Sequence, residues 1–238
     1  MTAVDWRLYL VTDPWLGGGP ETVPDIVYEA VRGGVGVVQV RDKDCDDEEF
    51  ARRAAAVAEA AHRAGAEAGR EVPVFVNDRA EVARELSLHL HVGQGDLPVA
   101  QAHAMLPSGL MVGLSIESDA QLAAALDSPG RAPDVIGVSP VWSTPTKTDT
   151  AAPLGPAGAD RIARAARAGG VASVGIGGVN AGNVESLART ALDGVCVISA
   201  IMAAADPRAA AADLLARWDR ARIHSVAGSP RETETNSR

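Results

Sequence analysis

Residues 35–78 read VGVVQVRDKDCDDEEFARRAAAVAEAAHRAGAEAGREVPVFVND, and this stretch decides the fold. It opens on a valine-rich run, Val35–Arg41, passes a charged turn, and continues as an alanine-rich segment from Glu48 to Ala68. Alanine, glutamate and arginine favour helix, and Asp46 or Asp47 stands where an N-cap is needed. A second run of β-branched and aromatic character, Pro73–Asn77, follows. Strand, helix and strand in that order make a βαβ unit, and the crossover helix forces the two strands to lie parallel.

The same alternation extends in both directions. Strands are expected at Arg7–Thr12, Val35–Arg41, Pro73–Asn77, Leu88–Val92, Met111–Ser115, Asp134–Val138, Val171–Ile176 and Gly194–Ile198. Helices are expected near 22–32, 47–68, 79–86, 98–107, 117–127, 157–168, 181–190 and 207–222. Eight βα units predict an α/β chain folded as a single-domain (β/α)8 TIM barrel over residues 5–223, with an open doubly wound sheet as the alternative. The polar segment 224–238 lacks periodicity and is expected to be a disordered tail.

Composition narrows the function. Apolar residues make up 47% of the 238, enough for a large core, while aromatics are only 3%, so that core must be aliphatic. The net charge of −9 argues against a nucleic-acid binder, and any anionic ligand must be held by local basic groups. Cys45 and Cys196 share no CxxC or Cys/His spacing, so neither zinc nor a disulfide framework is expected, and a reducing compartment fits. Nothing approaches a signal peptide or the roughly 18 apolar residues of a membrane span. The expectation is a soluble, cytoplasmic protein working on small molecules, with no nucleic-acid or membrane partner; its oligomeric state stays open.

In a parallel barrel the chemistry sits at the C-terminal ends of the strands. Strand 2 ends Gln39-Val40-Arg41-Asp42-Lys43, and side chains alternate with period two, so Gln39 and Arg41 face the mouth with Lys43 above them. An internal ion pair would be the alternative use of those polar groups. Strands 3 and 4 deliver Asp78, after Asn77, and Asp96, after Gly93-Gln94-Gly95, to one rim. Two converging carboxylates suit magnesium, which keeps waters and takes its remaining ligands from substrate phosphates; singly, each Asp would serve as a helix N-cap. His89 and His91 share the inward face of strand 4 and are expected to be hydrogen-bonded core residues. Ser115 ends strand 5 as an anion ligand or a helix cap. The stretch Ser143-Thr144-Pro145-Thr146-Lys147 offers directed donors suited to phosphate oxygens. After strand 7, Gly177 and Gly178 let backbone N–H groups approach an anion, and Ser199 after strand 8 completes that pocket. Two anion clusters and one acidic pair imply one monophosphate and one diphosphate substrate.

With these residues in view, the chain from about Arg7 to Pro207 resembles the thiamine phosphate synthase family. The matching segments are Leu8–Asp13, Val38–Lys43, Val76–Arg79, His91–Gln94 with Asp96, Pro145–Lys147, Gly175–Gly178 and Val197–Ser199. The resemblance implies an enzyme of thiamine biosynthesis that joins an aminopyrimidine methyl diphosphate to a thiazole phosphate and releases diphosphate. It further implies that Gln39, Arg41, Lys43 and Asn77 hold the pyrimidine diphosphate and that Asp78 and Asp96 bind Mg2+. Ser115 and Lys147 would contact the diphosphate, Thr144 and Thr146 the thiazole phosphate, and Gly177, Gly178, Ile198 and Ser199 would bind its phosphate through backbone groups. Arg41, Lys43, Ser115 and Lys147 would act catalytically by stabilising the leaving group. Two positions depart from the family pattern: His89, where a small residue is usual, and Ser139, where glycine is expected before Pro140. A thiazole tautomerase, which shares the barrel, would not need the Gln39–Arg41–Lys43 and Asp78/Asp96 sets. A non-catalytic precursor-binding barrel would bind ligand without releasing diphosphate.

Overall fold

The computed structural model describes residues 3–143 and 152–227. Eight strands, β1 Leu8–Val11, β2 Val37–Val40, β3 Val74–Asn77, β4 His89–Val92, β5 Val112–Ile116, β6 Val135–Val138, β7 Ala172–Ile176 and β8 Gly194–Val197, pair in sequence order into one closed barrel. Every pairing is parallel, and β8 returns to β1 with Leu10 opposite Val197. Closure rules out the open sheet. The helices wrapped outside are α1 Val23–Arg32, α2 Asp47–Glu67, α3 Ala80–Glu85, α4 Val99–Met105, α5 Asp119–Asp127, α6 Gly155–Ala168, α7 Val184–Ala188, α8 Ser199–Met202 and α9 Pro207–Ala227.

Local chemistry explains the longest of the early helices. Asp46 caps α2 by accepting from Glu49 N at 2.8 Å, and Asp47, Glu48 and Glu49 put negative charge at its positive end. The four-residue α8 carries no periodicity that would announce it. The last helix runs through Ala227, beyond the expected end at 222 and across the expected tail boundary at 224; residues 228–238 lie outside the described part. Among the described residues no helix is long and apolar enough to cross a membrane.

Strand parity divides the interior in two. Leu8, Leu10, Val38, Val40, Val74, Val76, Leu90, Val92, Leu114 and Ile136 point outward and pack against the helices. Tyr9, Val11, Val37, Phe75, Val135, Val174 and Cys196 point into the lumen. The chain has few aromatic residues, and three of them close the lower lumen: Trp6, Tyr9 and Phe75 stand 5.7–6.3 Å apart between ring centroids. The N-terminal segment crosses this floor so closely that a Cβ on Gly194 would fall 1.7 Å from Trp6 O, and one on Gly36 would fall 2.0 Å from Asp5 O. Arg7 bonds Asp5 and, at 2.8 Å, Asp219 of α9, which fastens the floor to the outer layer. Aromatic side chains and the N-terminal segment thus fill the floor of the lumen, and the cavity lies at the mouth.

His89 belongs to this floor. Its ring lies 4.9 Å from Phe75 and its Nδ1 accepts from Met111 N at 2.9 Å, as expected of a hydrogen-bonded core histidine. Burial pushes its pKa down to about 4, against the opposing pull of Asp134. The unfolded imidazole takes its proton near pH 6.5, before the native one does, so the contribution to stability falls as pH falls from about 6.5 to about 4. Between pH 7 and 5 this amounts to roughly 2 kcal/mol. Urea unfolding at both pH values should show a smaller loss for His89→Gln, whose side chain still offers Met111 an acceptor. Equal losses in the two proteins would exclude His89 as a source.

Candidate active site

The open end of the barrel holds a cavity of about 700 Å³, lined by Gln39, Arg41, Lys43, Asn77, Asp78, Asp96, Ser115, Gly177, Gly178, Ile198 and Ser199. Eleven positions chosen from strand ends thus share one space. Thr144, Thr146 and Lys147 lie outside the described residues; their neighbour Ser143 lines the same cavity.

The acidic corner is built by two loops. Asp78 has φ +62, a left-handed conformation uncommon for a side-chain-bearing residue. Its N–H donates to His91 O at 2.9 Å, which continues the β3–β4 ladder one residue past the strand. It does not cap α3, whose N-cap position is Arg79 with no side-chain cap bond. Arg79 instead ties the loop to its neighbour, donating to Asp47 Oδ1 at 2.5 Å, Cys45 O at 2.6 Å and Asp42 O at 3.2 Å. That tether brings Lys43 Nζ to 3.4 Å from Asp78 Oδ2. Asp96 accepts from Gly93 N at 2.7 Å, closing the turn after β4.

Asp78 and Asp96 line the same cavity and act on each other electrostatically. Burial first, and then the neighbouring Asp96 carboxylate, raise the pKa of Asp78, with Lys43 opposing. Among the described residues no third histidine, cysteine or acid joins them in a metal-binding cluster. Two crowded carboxylates whose repulsion a divalent cation would relieve, beside space for water and phosphate oxygens, fit the donor set of magnesium.

Gln39 is buried, and its Nε2 donates to Tyr9 OH at 3.0 Å, so no ion pair inside the lumen is needed to satisfy it. Arg41 N donates to Thr12 Oγ1 at 3.0 Å, which fixes the strand end from which the guanidinium projects. Ser115 is not the cap of α5, because Ser118 fills that role by accepting from Gln121 N at 3.3 Å. Its hydroxyl lies 3.1 Å from His91 Nε2, and its carbonyl accepts from Gln94 Nε2 at 2.7 Å.

Across the mouth, Gly177 and Gly178 have φ +106 and +68. A Cβ on Gly177 would lie 3.0 Å from Pro140 Cα, and one on Gly178 3.0 Å from Trp142 Cβ and 3.2 Å from Ser143 O. Two asparagines lock the turn by donating to Gly178 O, Asn183 at 2.8 Å and Asn180 at 3.1 Å. The turn therefore brings bare backbone against the cavity, as a phosphate cradle requires.

Several lining residues were not singled out from the sequence as site residues: Tyr9, Gln94, Asn180, Cys196 and, most of all, His91. Strand parity placed His91 inward, but nothing local separates a core histidine from one on a cavity wall. Cys196 is a buried thiol whose pKa burial drives well up, so it offers no ready thiolate.

A family model described as thiamine monophosphate synthase matches residues 8–201. The chain is 50% identical over 222 residues to the thiamine biosynthesis multifunctional protein ThiED of Corynebacterium efficiens, which covers 92% of this chain and 29% of that relative. It likewise spans 27% of the ThiED protein of Corynebacterium glutamicum, so it corresponds to under a third of each multifunctional relative. It is 39% identical over 206 residues to the thiamine-phosphate synthase of Albidiferax ferrireducens, covering 86% of this chain and 88% of that one. Among solved structures, the thiamine phosphate pyrophosphorylase from Pyrococcus furiosus superposes with a TM-score of 0.75 at 27% identity, covering 92% of this chain and 98% of that one.

The conformation of the glycine turn can be tested directly. Gly178→Ala should lower stability by about 1–3 kcal/mol, because alanine strains the left-handed backbone and crowds Trp142 and Ser143. Denaturant unfolding measures this, and an unchanged midpoint would show that the turn relaxes freely.

Proposed function

This chain belongs to the thiamine monophosphate synthase family, and on that premise we propose that it condenses 4-amino-2-methyl-5-(diphosphooxymethyl)pyrimidine with a 4-methyl-5-(2-phosphoethyl)thiazole, giving thiamine phosphate and diphosphate, or with its 2-carboxy form, whose carboxylate leaves in addition as CO2. One observation carries the reading: the Asp78/Asp96 pair with Lys43 lies at the ends of β2, β3 and β4, while the glycine turn follows β7 on the far side of the same cavity. A single phosphate pocket would serve a sugar-phosphate enzyme; two separated anion sites serve a diphosphate and a monophosphate brought together.

The residues divide the work as follows. Gln39 and Asn77, deep on β2 and β3, hold the pyrimidine ring. Arg41, Lys43 and Ser115 surround the diphosphate, and Lys147 joins them from the segment after β6. Thr144 and Thr146, with the backbone of Gly177, Gly178, Ile198 and Ser199, hold the thiazole phosphate. Asp78 and Asp96 would hold Mg2+, which when bound supplies positive charge against the diphosphate oxygens. The bond from the pyrimidine methylene carbon to the diphosphate oxygen breaks, and the thiazole nitrogen forms the new bond to that carbon. The electron-rich pyrimidine ring stabilises the developing cation, so a dissociative path is open. Because the attacking nitrogen carries no proton, no general base is required, and the protein's task is orientation and charge stabilisation. Free Cys45 and Cys196 accord with a cytoplasmic setting.

Purified protein mixed with both precursors should release diphosphate only when magnesium is present; release at the same rate in excess chelator would refute the metal role. Asp78→Asn or Asp96→Asn should raise the magnesium concentration needed for half-maximal turnover, and wild-type rates at limiting metal would remove those ligands from the assignment. Lys147→Ala should lower kcat by roughly 10- to 100-fold while leaving the thiazole KM little changed, because its charge matters most as the leaving group departs. Weaker thiazole binding at unchanged kcat would reassign that lysine.

A further inference from the structure

On the cavity wall, His91 is buried, with 8% of its surface exposed, and among the described residues its Nδ1 is the buried side-chain polar atom without a hydrogen-bond partner. Its Nε2 stands 3.1 Å from Ser115 Oγ. The ring sits in a notch made by two glycines. A Cβ on Gly113 of β5 would fall 2.4 Å from His91 Nδ1, and one on Gly137 of β6 would fall 3.6 Å from Cε1. Glycine weakens a strand interior and marks close approach of another group, so two neighbouring strands leave out side chains to admit this one imidazole.

The notch selects a tautomer. A buried N–H without an acceptor costs more than a lone pair without a donor, and orphaned N–H groups are the rarer of the two. Facing Gly113, Nδ1 meets a Cα–H, a weak donor that suits a lone pair and repels an N–H. The proton therefore belongs on Nε2, which points it at Ser115 Oγ. A second proton would put an N–H without an acceptor into the same notch, so the neutral ring is the form that fits.

We propose that His91 is a positioning residue, donating Nε2–H to Ser115 Oγ and thereby committing the serine's own proton to an acceptor in the cavity. A serine hydroxyl can otherwise act as donor or acceptor and rotates freely. With one lone pair taken by His91 and no other acceptor for its hydrogen among the described residues, the hydroxyl turns a donor toward the bound substrate. In the reaction proposed above, on which this inference rests only for the identity of the acceptor, that acceptor is an oxygen of the departing diphosphate, where negative charge grows.

Long-range proton–nitrogen NMR on the 15N-labelled full chain at neutral pH, with the His91 signals assigned by their loss in His91→Gln, reads the tautomer directly. The Nε2–H form is expected, and an Nδ1–H form overturns the proposal. Kinetics supply the second arm. His91→Leu and Ser115→Ala should each lower kcat by about 10- to 100-fold, the span for a hydrogen bond to a charged group, with thiazole KM unchanged. The double variant should be no slower than the slower single one, because both changes remove the same donor. His91→Gln, which retains an N–H, should recover most of the loss. Additive losses, or His91→Gln as slow as His91→Leu, overturn the positioning role. Should the wild-type chain release no diphosphate from the two precursors, the functional reading fails, and the tautomer measurement still decides the assignment of His91.

Discussion

Closure of eight parallel strands is the constraint on which the rest of the molecule depends. Once β8 pairs with β1, every strand has two hydrogen-bonded neighbours, and no side chain can choose its direction independently of its neighbours along the strand. Odd and even positions then divide between the helix layer and the lumen. A low-aromatic, aliphatic sequence fills the outer layer easily. The lumen is harder to fill, and the chain spends Trp6, Tyr9 and Phe75 on its floor. Because the floor is solid, the unfilled volume lies at the mouth, where the strands end and the loops begin.

Groups at that mouth are held at some expense to stability elsewhere. Asp78 adopts a left-handed backbone, Gly177 and Gly178 adopt conformations suited to glycine, and β5 and β6 lack side chains at Gly113 and Gly137. Each feature weakens the local structure relative to an ordinary strand or turn. Each also brings a carboxylate, a backbone N–H or an imidazole to the cavity wall. The compensation comes from tethers outside the cavity: Arg79 clamping the loop after β2, and Asn180 and Asn183 bracing the glycine turn.

Charge follows the same division between global and local. The chain carries a net −9, yet Arg41 and Lys43 line the cavity beside the acidic pair. Attraction of any anionic ligand would therefore rely on short-range geometry, with Lys43 already 3.4 Å from Asp78, rather than on the field of the whole molecule. An acidic pair that crowds itself and a lysine that partly offsets it make a corner whose charge balance changes with what binds there.

The sequence by itself determined the elements, their order and which side chains face inward, because strand parity, helix propensity and capping are local properties. The valine run of β2, the alanine-rich α2 with its Asp46 cap, and the inward direction of Gln39, Arg41 and His91 were legible for that reason. Single residues with two uses were not. Ser115 and Asp78 each had the sequence context of a helix cap; in the fold Ser118 does the capping and α3 takes no side-chain cap, and the two are left to the cavity. His91 looked like a core histidine until the absence of a Cβ at Gly113 and Gly137, on two other strands, gave its ring a seat and a direction. Whether the acidic residues after β3 and β4 meet, whether the glycine turn faces them, and which way an imidazole is wired depend on contacts between residues far apart in the chain, and these exist only once the barrel has closed.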